Sequence, residues 1–210
     1  MVQIKQKQTG KVLWEGPADS LVGQKLASTH LPGADFSGVD LTGVDFRNAD
    51  LRNADFTDAM GDKIYFHSAD ISGAKFDRAK MADANFTDVR ANETSFENAR
   101  LPKALFRYAK VIQCSFVEAD LTGADLSSGD MRSDFDHAVL SSVDFRGSDL
   151  SGANFTAADL RGAVLVGANL SGANMSRAKT EGATDPLGHK MSAKKAVAKA
   201  PWWKFWETGG

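Results

Sequence analysis

A five-residue period runs through most of the chain and limits what it can fold into. The stretch from Ala34 to Thr57 reads ADFSG VDLTG VDFRN ADLRN ADFT, and the frame continues through twenty units centred on residues 36 to 131 and nine more centred on 135 to 175. A period of five matches neither the turn of an α-helix nor the two-residue alternation of a strand. Each unit must therefore be a short extended piece followed by a bend.

Each position within a unit has its own chemistry. We call the large apolar residue the centre; the residue two places before it is Ala in nineteen of the 29 units, and Asp or Asn often lies between them. Alternation points the centre and the small residue inward, and the residue between them, the outward residue, towards solvent. The two corner residues after the centre are mostly Ser, Thr, Arg, Gly, Asn or Asp, which favour turns. Each unit is therefore predicted to end in a corner.

This pattern resembles that of the pentapeptide repeat family, whose consensus is A(D/N)LXX, over roughly residues 31 to 182. The resemblance implies an all-β fold, the right-handed quadrilateral β-helix, a solenoid with four pentapeptides per coil and here about seven to eight coils. Phenylalanine also recurs every ten residues, at positions 36, 46, 56, 66, 76, 86, 96, 106 and 116. A twenty-residue coil would stack these rings in two ladders on opposite sides, and the ladders should dominate stability.

Four regions follow from the extent of the repeats. We predict an N-terminal cap at 1–30, the β-helix at 31–185, a Lys/Ala-rich linker at 186–201 and a Trp-rich tail at 202–210. In the cap, two stretches around Gln8-Thr9-Gly10 predict a β-hairpin, and Asp19 or Ser20 could start a short helix. The alternative is that the leucines at 21, 26 and 31 already form an irregular first coil.

Several units depart from the pattern. Gly61 and Ala91 occupy centres, where we expect local underpacking that neighbours fill, in preference to a ligand cavity. The step from Met131 to Phe135 is four residues, which predicts a tightened corner and not a domain boundary. Cys114, the only cysteine, takes the place of the small inward residue and is interpreted as structural.

Composition and motifs argue against several functions. Sixteen basic and 24 acidic residues between 31 and 185 disfavour direct nucleic-acid binding. The histidines lack metal-ligand spacing, and there is no phosphate loop or nucleophile elbow, so we expect no catalytic, cofactor or metal site and no enzyme. Without a signal peptide or a long apolar run in the sequence, the expected location is the cytoplasm.

The stretch from Arg100 to Val117 has a different surface chemistry. It carries four basic residues and no acidic one, and several of its apolar residues fall at outward or corner positions. Apolar groups rimmed by charge are a common mark of a binding site. The predicted partner contacts here are Leu105, Arg107, Tyr108 and Ile112.

The tail contains Trp202, Trp203, Phe205 and Trp206, which we include among the candidate partner-binding residues. Three hypotheses stay open: the cluster caps the last coil, docks on another protein, or makes weak contact with an anionic membrane surface from a peripheral position.

These features together predict a non-enzymatic binding or structural scaffold, acting on a protein or membrane surface through the exposed coil and the aromatic tail. End-to-end homodimers are expected, because an uncapped coil exposes strand edges. The family resemblance implies an alternative, a DNA-mimicking modulator of the type II topoisomerase gyrase. The basic coil breaks the continuous negative charge that such a mimic requires.

Overall fold

The computed structural model describes residues 1–191. Two strands come first, β1 (Val2–Lys5) and β2 (Val12–Gly16), which pair antiparallel as the predicted hairpin. From Lys25 onward the backbone forms isolated parallel bridges at five-residue intervals, with one four-residue step from Asp130 to Asp134, and the described residues contain no helix. Nothing in this part of the chain is therefore a helix that could span a membrane.

Each coil is built from twenty residues. Asp35 bridges Asp55 in parallel, Asp55 bridges Lys75, and this ladder continues to Asn174. The N–H of each centre donates to the outward carbonyl of the next coil, as from Phe36 to Asp55 at 2.8 Å. Four units thus close one square turn, which confirms the right-handed quadrilateral β-helix. We name its sides after their centres in one round of the chain: the Phe36, Leu41, Phe46 and Leu51 sides.

Two stacks of phenylalanine fill the interior, as predicted. On the Phe36 side neighbouring rings lie 4.5 to 5.1 Å apart, in the order 36, 56, 76, 96, 116, 135 and 155. On the Phe46 side the rings of residues 46, 66, 86 and 106 stack likewise, and Leu126 then takes the place of a ring before Phe145. The two stacks also meet edge to face across the core, with centroids 5.2 to 6.0 Å apart.

The first coil begins ten residues earlier than the predicted boundary at residue 31. Leu21 and Leu26 are 4% and 0% exposed, and Lys25 bridges Asp45 one coil on. The cap is thus shorter than 1–30, and the alternative of an early first coil describes residues 21–30 correctly. Residues 17–20 form bends and not the short helix considered above.

The hairpin closes the N-terminal end of the β-helix. The Lys5 carbonyl accepts the N–H of Asp35 at 2.8 Å, and the N–H of Lys7 donates to Gly33 at 2.9 Å. Ile4 is 1% exposed and belongs to the same core as the coils. Backbone N–H and C=O groups at this edge of the first coil are therefore hydrogen-bonded to the N-terminal segment of the same chain.

At the other end, residues 186–191 fold back on the last coil, although we predicted a linker from residue 186. Lys190 bridges Thr184 antiparallel, and the N–H of Met191 donates to Ala183 at 2.8 Å. The Asp185 carboxylate accepts two backbone N–H groups of this turn and so holds it in place. The rest of the predicted linker and the Trp-rich tail lie outside the described residues.

Gly61 leaves no empty space in the core. Its φ is 145°, and a Cβ built on it would lie 2.5 Å from the backbone nitrogen of Thr42. The backbone of the preceding coil lies against Gly61, so a neighbour fills the space at this centre, as we expected in preference to a ligand cavity. The hollow beside Gly61 opens outward, between Asp40 and Lys80.

Ser133, at the short corner between Met131 and Phe135, bridges the corner of the preceding coil with its hydroxyl. At a regular corner the small inward residue donates its N–H to the preceding centre, as Ala74 does to Ile71 at 3.0 Å. Here the N–H of Cys114 donates to Ser133 Oγ at 3.1 Å, and that hydroxyl donates to the Val111 carbonyl at 2.7 Å. The ladder then continues, and Phe116 stacks on Phe135 at 5.0 Å, so the corner tightens without ending the domain.

Replacing Phe86 by Ala should lower the free energy of unfolding by about 3–5 kcal/mol, because the ring is stacked on Phe66 and Phe106 and leaves a cavity. Phe86→Leu should cost less than about 1.5 kcal/mol, since Leu126 already occupies a ring position on this side. Urea denaturation measures both, and equal losses would contradict the stacking account.

Ser133→Ala should lower the free energy of unfolding by about 1–3 kcal/mol, because it removes the group that joins the Cys114 N–H to the Val111 carbonyl. Ser133→Thr keeps the hydroxyl and is the matched control. Thr94 occupies the corresponding corner two coils earlier, where its hydroxyl donates to Ile71 at 2.9 Å. If the two variants unfold at the same urea concentration, the hydroxyl has no such role.

Candidate protein-binding surface

The outward residue of a unit has a structural task. When it is Asp or Asn, its side-chain oxygen accepts the N–H of the first corner residue, as Asp40 does for Thr42 at 2.9 Å. Such turns are the local reason why Asp and Asn suit this position. Asp or Asn therefore stabilises the corner as well as making the surface acidic.

In three consecutive coils, most outward residues are neither Asp nor Asn. Between residues 60 and 117, which we call the central belt, ten of twelve outward residues are neither Asp nor Asn. Only Asp70 and Asn85 keep the turn there. The replacements are Met60, Tyr65, Lys75, Lys80, Arg90, Ser95, Arg100, Leu105, Lys110 and Ser115. These side chains do not provide the acceptor, so their presence calls for another explanation.

Charge changes sign at the belt. It carries nine Lys and Arg against seven Asp and Glu, whereas residues 31–59 carry two against six and residues 118–185 carry five against eleven. The formal charge is thus −4, +2 and −6 in the three segments. A weakly basic ring therefore lies between two acidic ones.

Five arginines outside the belt form ion pairs with a carboxylate of the same unit. Arg47 forms a fork with Asp45, with Nε and a terminal nitrogen 2.9 and 2.8 Å from the two carboxylate oxygens. The same outward Asp and first-corner Arg pair at 50 and 52, 130 and 132, 144 and 146, and 159 and 161. In the belt, two cations form ion pairs within the described part of the chain, Arg78 with Asp58 and Arg107 with Asp125.

The structure brings some of the predicted contact residues together. Leu105 stands in one column with Asn85 and, one coil earlier, Tyr65, on the Phe46 side. Tyr108 follows at the corner of this side, 63% exposed and with a φ of 59°, a backbone conformation that bulky residues rarely adopt. Arg107 lies between Leu105 and Tyr108 in sequence, and its Nε donates a charge-assisted hydrogen bond to the Asp125 carboxylate.

Ile112 is separated from this group. It is the first corner residue after Val111, so it lies on the far edge of the Leu51 side and is half-buried. The four predicted body residues therefore spread over two sides of the square instead of forming one patch. Trp202, Trp203, Phe205 and Trp206 lie outside the described residues.

Lys80 and Arg100 were missed as a pair by sequence reasoning. They are ladder neighbours on the Leu41 side, next to Met60, which is 47% exposed. Only Arg100 belongs to the basic stretch that the sequence singled out. The signal was the twenty-residue spacing, which places residues from successive coils side by side.

The chemistry of the remaining candidates is structural. Cys114 is 2% exposed, its thiol donates to the Ala91 carbonyl, and burial raises its pKa to about 11, so it is protonated at neutral pH. Within residues 1–191 no group of three His, Cys, Asp or Glu side chains is placed to hold a metal ion.

The sequence matches the pentapeptide repeats family in eight copies, over residues 23–58, 64–101, 99–133, 131–156 and 148–183. The chain belongs to the pentapeptide repeat family, as the sequence pattern and the square coils indicate. No curated protein matches it.

Solved structures of other pentapeptide repeat proteins are similar to this chain. HetL, involved in heterocyst differentiation regulation in the cyanobacterium Nostoc sp. strain PCC 7120, is 26% identical over 83% of this chain and 93% of its own, with a TM-score of 0.29. QnrB1, a plasmid-mediated fluoroquinolone resistance protein, is 23% identical over 73% and 70%, with a TM-score of 0.30. Rfr23 from the cyanobacterium Cyanothece 51142 is 19% identical over 79% and 87%, with a TM-score of 0.22.

Asp45→Ala should lower the free energy of unfolding at pH 7 by about 1–2 kcal/mol, because Asp45, 3% exposed, accepts both the N–H and the guanidinium of Arg47. Asp45→Asn keeps a backbone acceptor and should cost less. Urea denaturation at pH 7 compares the two, and an equal loss would assign the whole effect to the ion pair.

The same ion pair has a defined pH dependence. Hydrogen bonds from Arg47 lower the pKa of Asp45 below its ordinary value, so the carboxylate stabilises the fold above about pH 4, and the gain disappears as pH falls through the lower folded-state pKa. The stability difference between the native protein and Asp45→Asn should therefore shrink below pH 4. A difference that stays constant down to pH 2 would contradict this.

Proposed function

We propose that this protein is a non-enzymatic scaffold that binds another protein through the central belt. The observation that carries the proposal is the loss of the corner-stabilising Asp or Asn at ten of twelve outward positions in three consecutive coils, against four of fourteen between residues 118 and 185. Each loss forgoes a local hydrogen bond worth about 0.5–1.5 kcal/mol. The side chains that replace Asp or Asn in the belt do not make this hydrogen bond, and contact with a partner would explain their presence.

The Phe46 side of the belt is the best candidate for the centre of the interface. Tyr65, Leu105 and Tyr108 supply aromatic and aliphatic area, and the two tyrosines are 42% and 63% exposed. Tyr and Arg are enriched at the residues that dominate binding energy. Arg107 and Lys103 flank this area and would form part of its polar rim.

A DNA-mimicking modulator of gyrase is less well supported. A mimic of duplex DNA has to present regularly spaced negative charge along its length. Here the positive belt interrupts the acidic surface after residue 59, and five flanking arginines neutralise their neighbouring carboxylates.

The predicted end-to-end homodimer would use the last coil. Among the described residues, the N–H groups of Leu170 and Met175 have no backbone acceptor, whereas the corresponding groups one coil earlier, on Leu150 and Phe155, donate to Asn169 and Asn174. A second copy, or the Trp-rich tail acting as the predicted cap, would cover these groups.

Changing Leu105, Tyr108 and Ile112 together to Ser should remove a protein partner from a pulldown with cell lysate. The matched control changes Val139, Val164 and Val166 to Ser in the acidic C-terminal coils. Val139 and Val164 are outward residues and Val166 is a corner residue, and Val139 and Val166 are 38% and 39% exposed. Thermal melting verifies that both variants stay folded. A partner list that is the same for the native protein and both variants would refute this interface.

A further inference from the structure

From the belt's charge arrangement we infer that the element recognised is an acidic protein segment, bound across the corner between the Leu41 and Phe46 sides. This inference rests on the proposed function and adds the chemistry of its partner. Its positive contacts are Lys63, Lys80, Arg100 and Lys103, and its apolar contacts are Met60, Tyr65 and Leu105.

Coil spacing brings the four cations into one cluster. Lys80 and Arg100 are adjacent in the ladder, about 4.8 Å apart along the axis. Lys63 and Lys103 occupy the same corner position two coils apart, both with positive φ, at the edge shared by the two sides. All four thus lie within roughly three coils, a distance comparable to the Debye length of about 8–10 Å.

These cations are available for an external partner. None of the four lies within ion-pairing distance of a carboxylate in the described part of the chain, unlike the forked arginines at 47, 52, 132, 146 and 161. Asp62 and Asp83 are the carboxylates of the same corner. At the other edge of the Leu41 side, Asp58 is held by Arg78, and Asp77 and Glu97 accept the hydroxyls of Ser95 and Ser115 on the Phe36 side. At the corner between the Leu41 and Phe46 sides, four cations against two acids leave the cluster positive.

The column of outward residues limits the length of the ligand. On the Leu41 side it reads Asp40, Met60, Lys80, Arg100 and Asp120 in successive coils. A short acidic segment can contact the two cations and stop before either aspartate. A nucleic-acid strand carries charge at every nucleotide and would run onto Asp40 or Asp120, where like charges repel.

Apolar groups next to the cations add to the specificity. Met60 lies in the same column as Lys80, and Tyr65 and Leu105 lie across the corner occupied by Lys63 and Lys103. Charge complementarity steers and orients a partner, whereas buried apolar contacts hold it. The segment is therefore expected to combine Asp or Glu with Leu or Phe.

The test uses the full-length protein and two fluorescein-labelled twelve-residue peptides, one alternating Glu with Leu and Phe, the other with every Glu replaced by Gln. Fluorescence anisotropy in 50 mM NaCl should detect the acidic peptide binding at least tenfold more tightly than the neutral one. Raising NaCl to 300 mM should weaken binding several-fold. The double variant Lys80→Glu, Arg100→Glu should lose at least tenfold in affinity.

The matched control is Arg146→Glu, Arg161→Glu, which makes the same change in net charge outside the belt. It should alter the affinity less than twofold. Equal losses in the two double variants, no binding of the acidic peptide, or tighter binding of a single-stranded DNA of equal charge would each overturn the inference.

Failure of this inference can be told apart from failure of the proposed function. If the lysate partner is lost on changing Leu105, Tyr108 and Ile112 but retained by the Lys80→Glu, Arg100→Glu variant, the belt binds a protein and the acidic segment is wrong.

Discussion

The hydrogen bond from each centre to the outward carbonyl one coil later is the constraint on which the rest of the structure depends. It fixes the coil at twenty residues and thereby places every tenth residue on one of two opposite sides, where the phenylalanines stack. Contacts between successive coils span short stretches of sequence, which favours growth of the fold from one coil to the next. The hairpin then pairs the first edge, and the turn at 186–191 covers part of the last.

This architecture divides the sequence into positions where the residue type is restricted by packing and positions where it is not. Centres and small inward residues are buried, so their variation is limited to size and to the few hydroxyl or thiol groups at Thr94, Cys114, Ser133 and Ser148. Outward and corner residues carry whatever distinguishes this protein from another with the same coils. The belt is where their chemistry departs furthest from what the corners require, and the binding proposal rests on that contrast.

Sequence alone predicted most of the fold because a five-residue period with phenylalanine every ten residues is compatible with few architectures. It could not place the start of the first coil, since Leu21 and Leu26 lack the flanking Ala and Asp of a regular unit. Nor could it show that the backbone of the preceding coil lies against Gly61 or that the Ser133 hydroxyl replaces a corner hydrogen bond, because both depend on contacts one coil away. For the candidate site it identified Leu105 and Tyr108 but not the pairing of Lys80 with Arg100, which are twenty residues apart.

The repeating bridge also gives the molecule a scale of length. Each coil presents the same backbone groups to its neighbours. Inserting or deleting one coil of twenty residues therefore moves everything beyond it by one step of about 4.8 Å along the axis and leaves each residue on the same side of the square. The belt therefore stands a whole number of steps from the hairpin, and duplicating one coil between them would change that separation while leaving both surfaces intact. The number of coils would then set the distance between molecules bound at the belt and at the hairpin.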